Sequence, residues 1–308
     1  MTSDSKKSGT ESNVTLTKKF SFRSGQNSEA LGTKTDGSEL GLVNPNFHTE
    51  YRPSTVGFKE LGTPEELEIK LGEVGYHCAP FYAVQLSLIL NTHMSSVKGM
   101  LLEGPSGCGK SFLAKSLAKI TGAELMCLSC YKGMNLQHLV EIPSTLGMVN
   151  AMAGKAESKV EDLMNLGIIS RAFLTSQTKP VILLIDEIDK VDVAIDTFFL
   201  GPIQDARVWL ESRAPIDANL NNLFIIFTKK FERPISEALL RRLHPLRMKF
   251  MDSALERQVL SPYCSPKLVE NLVRVADIMR ESDGTYPFER PPAPEELLKS
   301  AHYITHLL

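Results

Sequence analysis

The chain has 308 residues and a formal net charge of -2, with a sequence pI near 6.4. That is length for about two domains and a full core, and it supplies no global positive field of the kind nucleic acid attracts, although a local basic groove stays open. Its five cysteines are scattered instead of forming a disulfide framework, no stretch approaches the roughly 18 apolar residues of a membrane helix, and the first residues are polar and hydroxyl-rich, unlike a signal peptide; the expectation is a soluble cytoplasmic protein with no membrane partner.

Residues 1–55 mix Ser, Thr, Gly, Asn and Lys with few aliphatics. Such a segment buries too little apolar surface to offset its ordering entropy, so a disordered N-terminal tail is expected. Thr63-Pro64-Glu65-Glu66-Leu67 has the form of a helix N-cap with proline at the first position and acids in the first turn. Phe81 to Met94 reads as an amphipathic or buried helix, with Phe81, Val84, Leu88 and Ile89 as its apolar positions.

Gly104-Pro105-Ser106-Gly107-Cys108-Gly109-Lys110-Ser111 fits G-x-x-x-x-G-K-[ST], the phosphate-binding P-loop. The short apolar run Met100-Leu101-Leu102-Glu103 precedes it, and Phe112 to Ile120 follows with apolar residues at helical spacing. Strand, loop and helix therefore stand in the order the mechanism requires. The glycines let successive N–H groups point inward at phosphate oxygens, and the helix aims the positive end of its dipole at the same anion. Lys110 is expected to reach the β- and γ-phosphates, and the Ser111 hydroxyl to ligate Mg²⁺.

Glu124 to Cys130 reads as a second strand. Its Cys127-x-x-Cys130 has no matching second ligand pair and is taken as strand residues instead of a zinc or redox site. His302 and His306, on one face of a terminal helix, likewise lack a third ligand. Residues 131–178 form a connection long enough to be functional or to carry its own structure, with an apolar group at Ile142, Leu146, Met148, Val149 and Met152.

Val181 to Ile185 is a continuous aliphatic run, as in a parallel strand covered on both faces. It ends in Asp186-Glu187-Ile188-Asp189, a Walker B sequence. Asp186 is placed to hold Mg²⁺ beside Ser111, and Glu187 to polarise an attacking water as general base. Asp189 reads as a solvated or helix-capping acid. Beyond a helix at Phe198–Gln204 and a hairpin arm at Arg207–Leu210, Leu223 to Phe227 is another core strand, ending at Thr228-Lys229-Lys230. Ile235 to Arg242 reads as a short helix closing on two arginines, followed by a strand at Leu246–Phe250. Ser265-Pro266 opens a helix with the face Leu268, Leu272, Val275 and Met279, and a last helix begins near Pro294.

This order of parts resembles the AAA+ ATPases, and more narrowly their MoxR-like branch. The phrases that carry it are LLEGPSGCGKS, the strand ending Cys130-Tyr131-Lys132-Gly133, PVILLIDEIDKVD and ISEALLRRLHPLRMKFMDSALERQVL. The resemblance implies an α/β P-loop NTPase: a five-stranded parallel sheet with helices on both faces over residues 56–250, then a small helical lid over 251–308. It implies ATP and Mg²⁺ as cofactors, with Gly104 to Ser111 and Phe112 around the phosphates and Ser111 and Asp186 on the metal. It further implies a ring, typically a hexamer, in which Arg242, or Arg241 in its place, acts on the neighbour's ATP. Arg290 stands as a lid arginine. The 131–170 connection falls where this branch carries an insertion, facing a pore, a client or simply the sheet. The branch acts on protein partners, often with a von Willebrand A domain, which here would act in trans. One departure stands out. The fourth strand of the family usually ends Thr-Ser-Asn, the asparagine positioning water, whereas this chain has Thr228-Lys229-Lys230. Lys230 donates only, where an amide also accepts, so either Thr228 takes over or turnover is slow. A DNA-directed loader, a small-molecule kinase and a nucleotide-gated scaffold are the alternatives.

Overall fold

The computed structural model describes residue 58 and residues 62–91, 95–154, 159–281 and 292–307. The tail expected over 1–55 and the candidate Arg290 lie outside the described residues. Chain contacts place all described residues in one unit, Arg52–Leu308.

Two helices come first, α1 (Pro64–Glu73) and α2 (Pro80–Asn91). Thr63 caps α1, as expected, and exchanges a reciprocal pair of hydrogen bonds with Glu66, a capping box. The P-loop lies between β1 (Lys98–Glu103) and α3 (Lys110–Thr121), and β2 (Glu124–Ser129) follows. The long connection carries its own structure: the hairpin strands β3 (Glu141–Pro143) and β4 (Met164–Leu166) enclose α4 (Thr145–Met152). Then come α5 (Ile168–Ser176), β5 (Val181–Asp186), α6 (Ala194–Asp205), the small hairpin β6 (Arg207–Val208) and β7 (Ile216–Asp217), and β8 (Leu223–Lys229). A single turn, α7 (Glu237–Leu240), leads to β9 (His244–Arg247), and the helices α8 (Ser253–Leu260), α9 (Pro266–Glu281) and α10 (Pro294–Leu307) complete the order.

Five strands form one sheet in the order β2-β5-β8-β1-β9, and every neighbouring pair is parallel. Side chains alternate across it. On one face Leu101, Leu183, Ile185, Ile225 and Phe227 pack against Ile169 and Phe173 of α5 and Ile195, Phe199 and Ile203 of α6. On the other, Met100, Leu102, Ile182, Leu184, Phe224 and Ile226 meet α1, α2 and α3 through Leu67, Leu86, Leu113 and Leu117. Cover on both faces is why β5 is aliphatic as far as Ile185 and β8 aliphatic or aromatic as far as Phe227. Since all strands run one way, β1, β5 and β8 deliver their carboxyl ends to one rim, where the P-loop, Asp186 and Thr228 stand. The last three helices share a small core of Leu260, Val269, Val273, Ala276, Leu297 and Ala301, with a buried Arg280–Glu256 ion pair at 2.6 Å beside it.

Several expectations shift. The exposed face of α2 carries Phe81 (61 % accessible) and Leu88 (60 %), while Ala83, Leu86, Ile89 and Leu90 are buried; the helix is apolar all round, so periodicity did not select its face. On α9 the buried stripe is Val269, Val273 and Ala276, and Val275 is exposed. β9 begins at His244, two residues before the expected strand, because Met100 pairs with His244.

Candidate active site

The P-loop takes its shape from two glycines at positive φ, Gly107 (79°) and Gly109 (95°), where a Cβ would be strained. At Gly107 a Cβ would also come 2.3 Å from the Cβ of Ala293, just ahead of α10. That glycine thus serves both the turn and the close approach of the last helix. Gly109 is the N-cap of α3, and no side chain caps that end, so the N–H groups of its first turn are left for an anion.

A cavity of about 480 Å³ opens over this loop. Its walls include Ser106, Gly107, Gly109, Lys110, Ser111 and Phe112 of the P-loop, Asp186 and Glu187 after β5, and Thr228 and Lys230 at the end of β8. Ten predicted site residues thus meet on one surface. Gly104, Pro105 and Cys108 stand behind it: the Gly104 and Pro105 carbonyls accept hydrogen bonds from Lys110 Nζ at 2.8 and 2.6 Å, and the Cys108 thiol, raised by burial above its ordinary pKa, lies 3.8 Å from the same ammonium. Arg241 and Arg242 are not among the lining residues. Arg241 pairs with Glu237 at 3.1 Å; Arg242 donates to Gln204 Oε1 at 2.6 and 3.2 Å and to the Ala238 carbonyl at 2.6 Å.

Asp186 is the centre of the polar wiring. Its Oδ1 accepts from Ser111 Oγ at 2.9 Å and from Thr228 Oγ1 at 2.5 Å. Thr228 Oγ1 in turn accepts from the backbone N–H of Glu187 at 2.9 Å. Glu187, at φ 57°, turns off the strand with its carboxylate between Lys190 and Lys230, the latter at 2.5 Å. Burial alone would raise the Glu187 pKa, but hydrogen bonds and charge from these two lysines outweigh it and hold the carboxyl below its ordinary range. A hydroxyl and a carboxylate oxygen within hydrogen-bond reach at the foot of a phosphate-shaped loop form an all-oxygen donor set, which suits Mg²⁺.

Asp189 corrects the sequence reading. It is 4 % accessible, and its Oδ2 accepts from the backbone N–H groups of Lys230 (2.9 Å) and Glu232 (3.1 Å). It neither caps a helix nor faces solvent; it fixes the turn that carries Lys230. Sequence reasoning also missed the far wall of the cavity, where Gly75, Tyr76 and His77 ahead of α2 and Met251, Val259 and Leu298 from the C-terminal region converge. Tyr76 stacks at a tilt on Phe112, ring centroids 5.7 Å apart. No local motif marks these residues, and only the fold gathers them. Lys190 is the one missed residue with a signal, three positions after the Walker B glutamate on a helical turn.

The chain is similar to known proteins. The family model described as "ATPase family associated with various cellular activities (AAA)" matches residues 100–248, from the P-loop strand to just past β9. The outer mitochondrial transmembrane helix translocase of Danio rerio is 26 % identical over 195 residues, covering 61 % of this chain and 46 % of that protein; the chain thus spans less than half the length of this curated relative. Among solved structures, a mutant of RuvB from Thermotoga maritima superposes with a TM-score of 0.44 at 14 % identity, covering 79 % of this chain and 62 % of that one. Residues 100–248 are thus what in this chain is similar to an AAA ATPase domain.

Proposed function

We propose that this chain binds Mg·ATP at the rim of its sheet and hydrolyses it, as a ring-forming AAA+ protein that remodels or helps assemble a protein partner. The observation that carries the reading is Asp186 Oδ1, which accepts from both Ser111 and Thr228 at the mouth of the P-loop. That contact joins the loop that holds phosphates to the two strands that hold metal and water. Mg²⁺, held by Ser111 and Asp186, would neutralise charge on the phosphate oxygens. Around it, Lys110 and the first turn of α3 bind the phosphates, Glu187 takes a proton from water, and Thr228 fixes Glu187 through its backbone N–H. Tyr76, His77, Met251, Val259 and Leu298 offer the apolar end to the base. Closure of α8–α10 over the cavity would then couple nucleotide state to shape. The MoxR-like resemblance supports a protein client, and the exposed apolar residues of α4, Leu146, Val149 and Met152 (88 % accessible), are a surface for it.

A second reading, a nucleotide-gated scaffold with slow turnover, draws on the Lys230–Glu187 ion pair. Calorimetry with Mg·ATP and a phosphate-release assay test both. Wild type and Glu187→Gln should bind, Lys110→Ala should not, and Glu187→Gln should release no phosphate. Absence of heat with the wild type at any workable concentration would sink the nucleotide reading; binding without phosphate release would leave the scaffold.

A further inference from the structure

The two lysines on Glu187 are not equivalent. Lys190 reaches it from three residues along the same turn and is not among the cavity-lining residues. Lys230 comes from the end of a different strand, lines the cavity beside Thr228, and touches Glu187 Oε1 at 2.5 Å. The backbone beneath Lys230 is fixed on both sides. Buried Asp189 binds its N–H and that of Glu232. Three residues on, Arg233 pairs with fully buried Asp196 at 2.7 Å and donates to the Val191 carbonyl at 2.6 Å. The turn after β8 is therefore stitched to the segment after β5, and Lys230 is held where its ammonium can serve either Glu187 or an anion in the cavity. Whether Glu187 can act as a base depends on which of the two it serves, because a carboxylate tied up by ammonium donors on both oxygens has little capacity left for a water proton.

We propose that Lys230 is a latch on Glu187, and that the terminal phosphate of a nucleoside triphosphate opens it by drawing the ammonium away and freeing the carboxylate. The proposal rests on the nucleotide reading above. A terminal phosphate brings more charge and more acceptor oxygens than one carboxylate, and a lysine, with three rotatable donors on a flexible stem, can change partner without moving the backbone. A diphosphate lacks that group and leaves the latch shut. The carboxylate is thereby released only when there is a bond to cleave, and Lys190 stays behind to keep Glu187 oriented.

The test uses the full chain with Mg·ADP and with the Mg complex of the non-hydrolysable imido analogue of ATP. By calorimetry, Lys230→Met should cut the preference for the imido triphosphate over ADP about tenfold or more, as expected for losing a charged hydrogen bond. Its ADP affinity should not change, and Lys230→Arg should keep most of the preference. In thermal unfolding, Lys230→Met and Glu187→Gln should be non-additive with Mg·ADP bound and additive with the imido triphosphate, because the pair exists only in the first state. A preference untouched by Lys230→Met overturns the latch, and so does equal non-additivity with both ligands, even though nucleotide binds. If neither ligand binds the wild type, the nucleotide reading fails and the latch falls with it.

Discussion

At the scale of single residues, Thr228 links the two acids of the site. Its hydroxyl donates to Asp186 and accepts from the N–H of Glu187, and the residue is fully buried. Thr228→Val keeps the shape and removes both bonds, leaving the Glu187 N–H without its partner. The expected cost is about 1–3 kcal/mol in a denaturant midpoint, with Mg·ATP binding weakened because Asp186 loses a donor that aims it. A change within error in both measurements would mean the hydroxyl is incidental. Much of this site was legible in the chain itself. Lys110, Ser111, Asp186 and Glu187 stand in contiguous motifs whose spacing follows from one strand and one turn. Asp189 was misjudged because its partners, the N–H groups of Lys230 and Glu232, come from another strand, and backbone donors leave no mark in a sequence. Tyr76 and Met251 were invisible for the same reason: long-range packing alone brings them to the cavity.

At the scale of elements, β5 and β8 are legible as aliphatic runs, whereas α2 and α9 are legible as helices but not in which of their apolar residues turn inward: Ile89 and Leu272 do, Phe81 and Val275 do not. On α9 the stripe at Leu268, Leu272, Val275 and Met279 lies beside the one at Val269, Val273 and Ala276. The choice falls to the second because small Ala276 and Ala301 share the core between α9 and α10. Val273→Ala should therefore destabilise by about 0.5–1.5 kcal/mol or somewhat more, on the scale of small aliphatic truncations, and Val275→Ala by within about 0.5 kcal/mol, read as shifts in thermal midpoint. Equal effects would put the core elsewhere. The long connection between β2 and β5 is tied down by a charge. Glu141 on β3, 5 % accessible, accepts from the N–H groups of Glu211 (2.7 Å) and Ser212 (3.2 Å) and from the Ser212 hydroxyl, with Arg213 at 3.8 Å. Burial pushes its pKa up, but the Ser212 hydroxyl, the two N–H groups and Arg213 together hold it below the ordinary carboxylate range. A depressed folded value means that the bonds stabilise the fold fully above the unfolded pKa, and that this share is lost as pH falls through the folded value. Glu141→Gln should therefore lower stability at pH 7 by about 1–3 kcal/mol and flatten the acid limb of a stability–pH curve. An unchanged acid limb would assign that limb to other carboxylates.

At the scale of the whole molecule, the cavity has Lys110, Lys115 and Lys230 in its wall but no arginine among the described residues, and the two arginines that close α7 are not part of its lining. Arg242 is held on the surface by Gln204 of α6 and the Ala238 carbonyl, which orients a guanidinium without burying it. A planar cation so presented suits a neighbour's phosphates better than its own chain's. If Arg242 acts in trans, turnover per subunit must rise with protein concentration until assembly saturates, whereas nucleotide binding by the dissociated chain need not. Arg242→Ala should then keep Mg·ATP affinity in dilute solution and lose turnover in the assembled form by on the order of 10³-fold, the scale of an arginine supplied across an interface. Gln204→Ala removes the support while keeping the charge, so its loss should be far smaller. Hydrolysis rates across a concentration series, with sedimentation at each point, separate the cases: a specific activity independent of concentration in the wild type would show that each chain completes its own site.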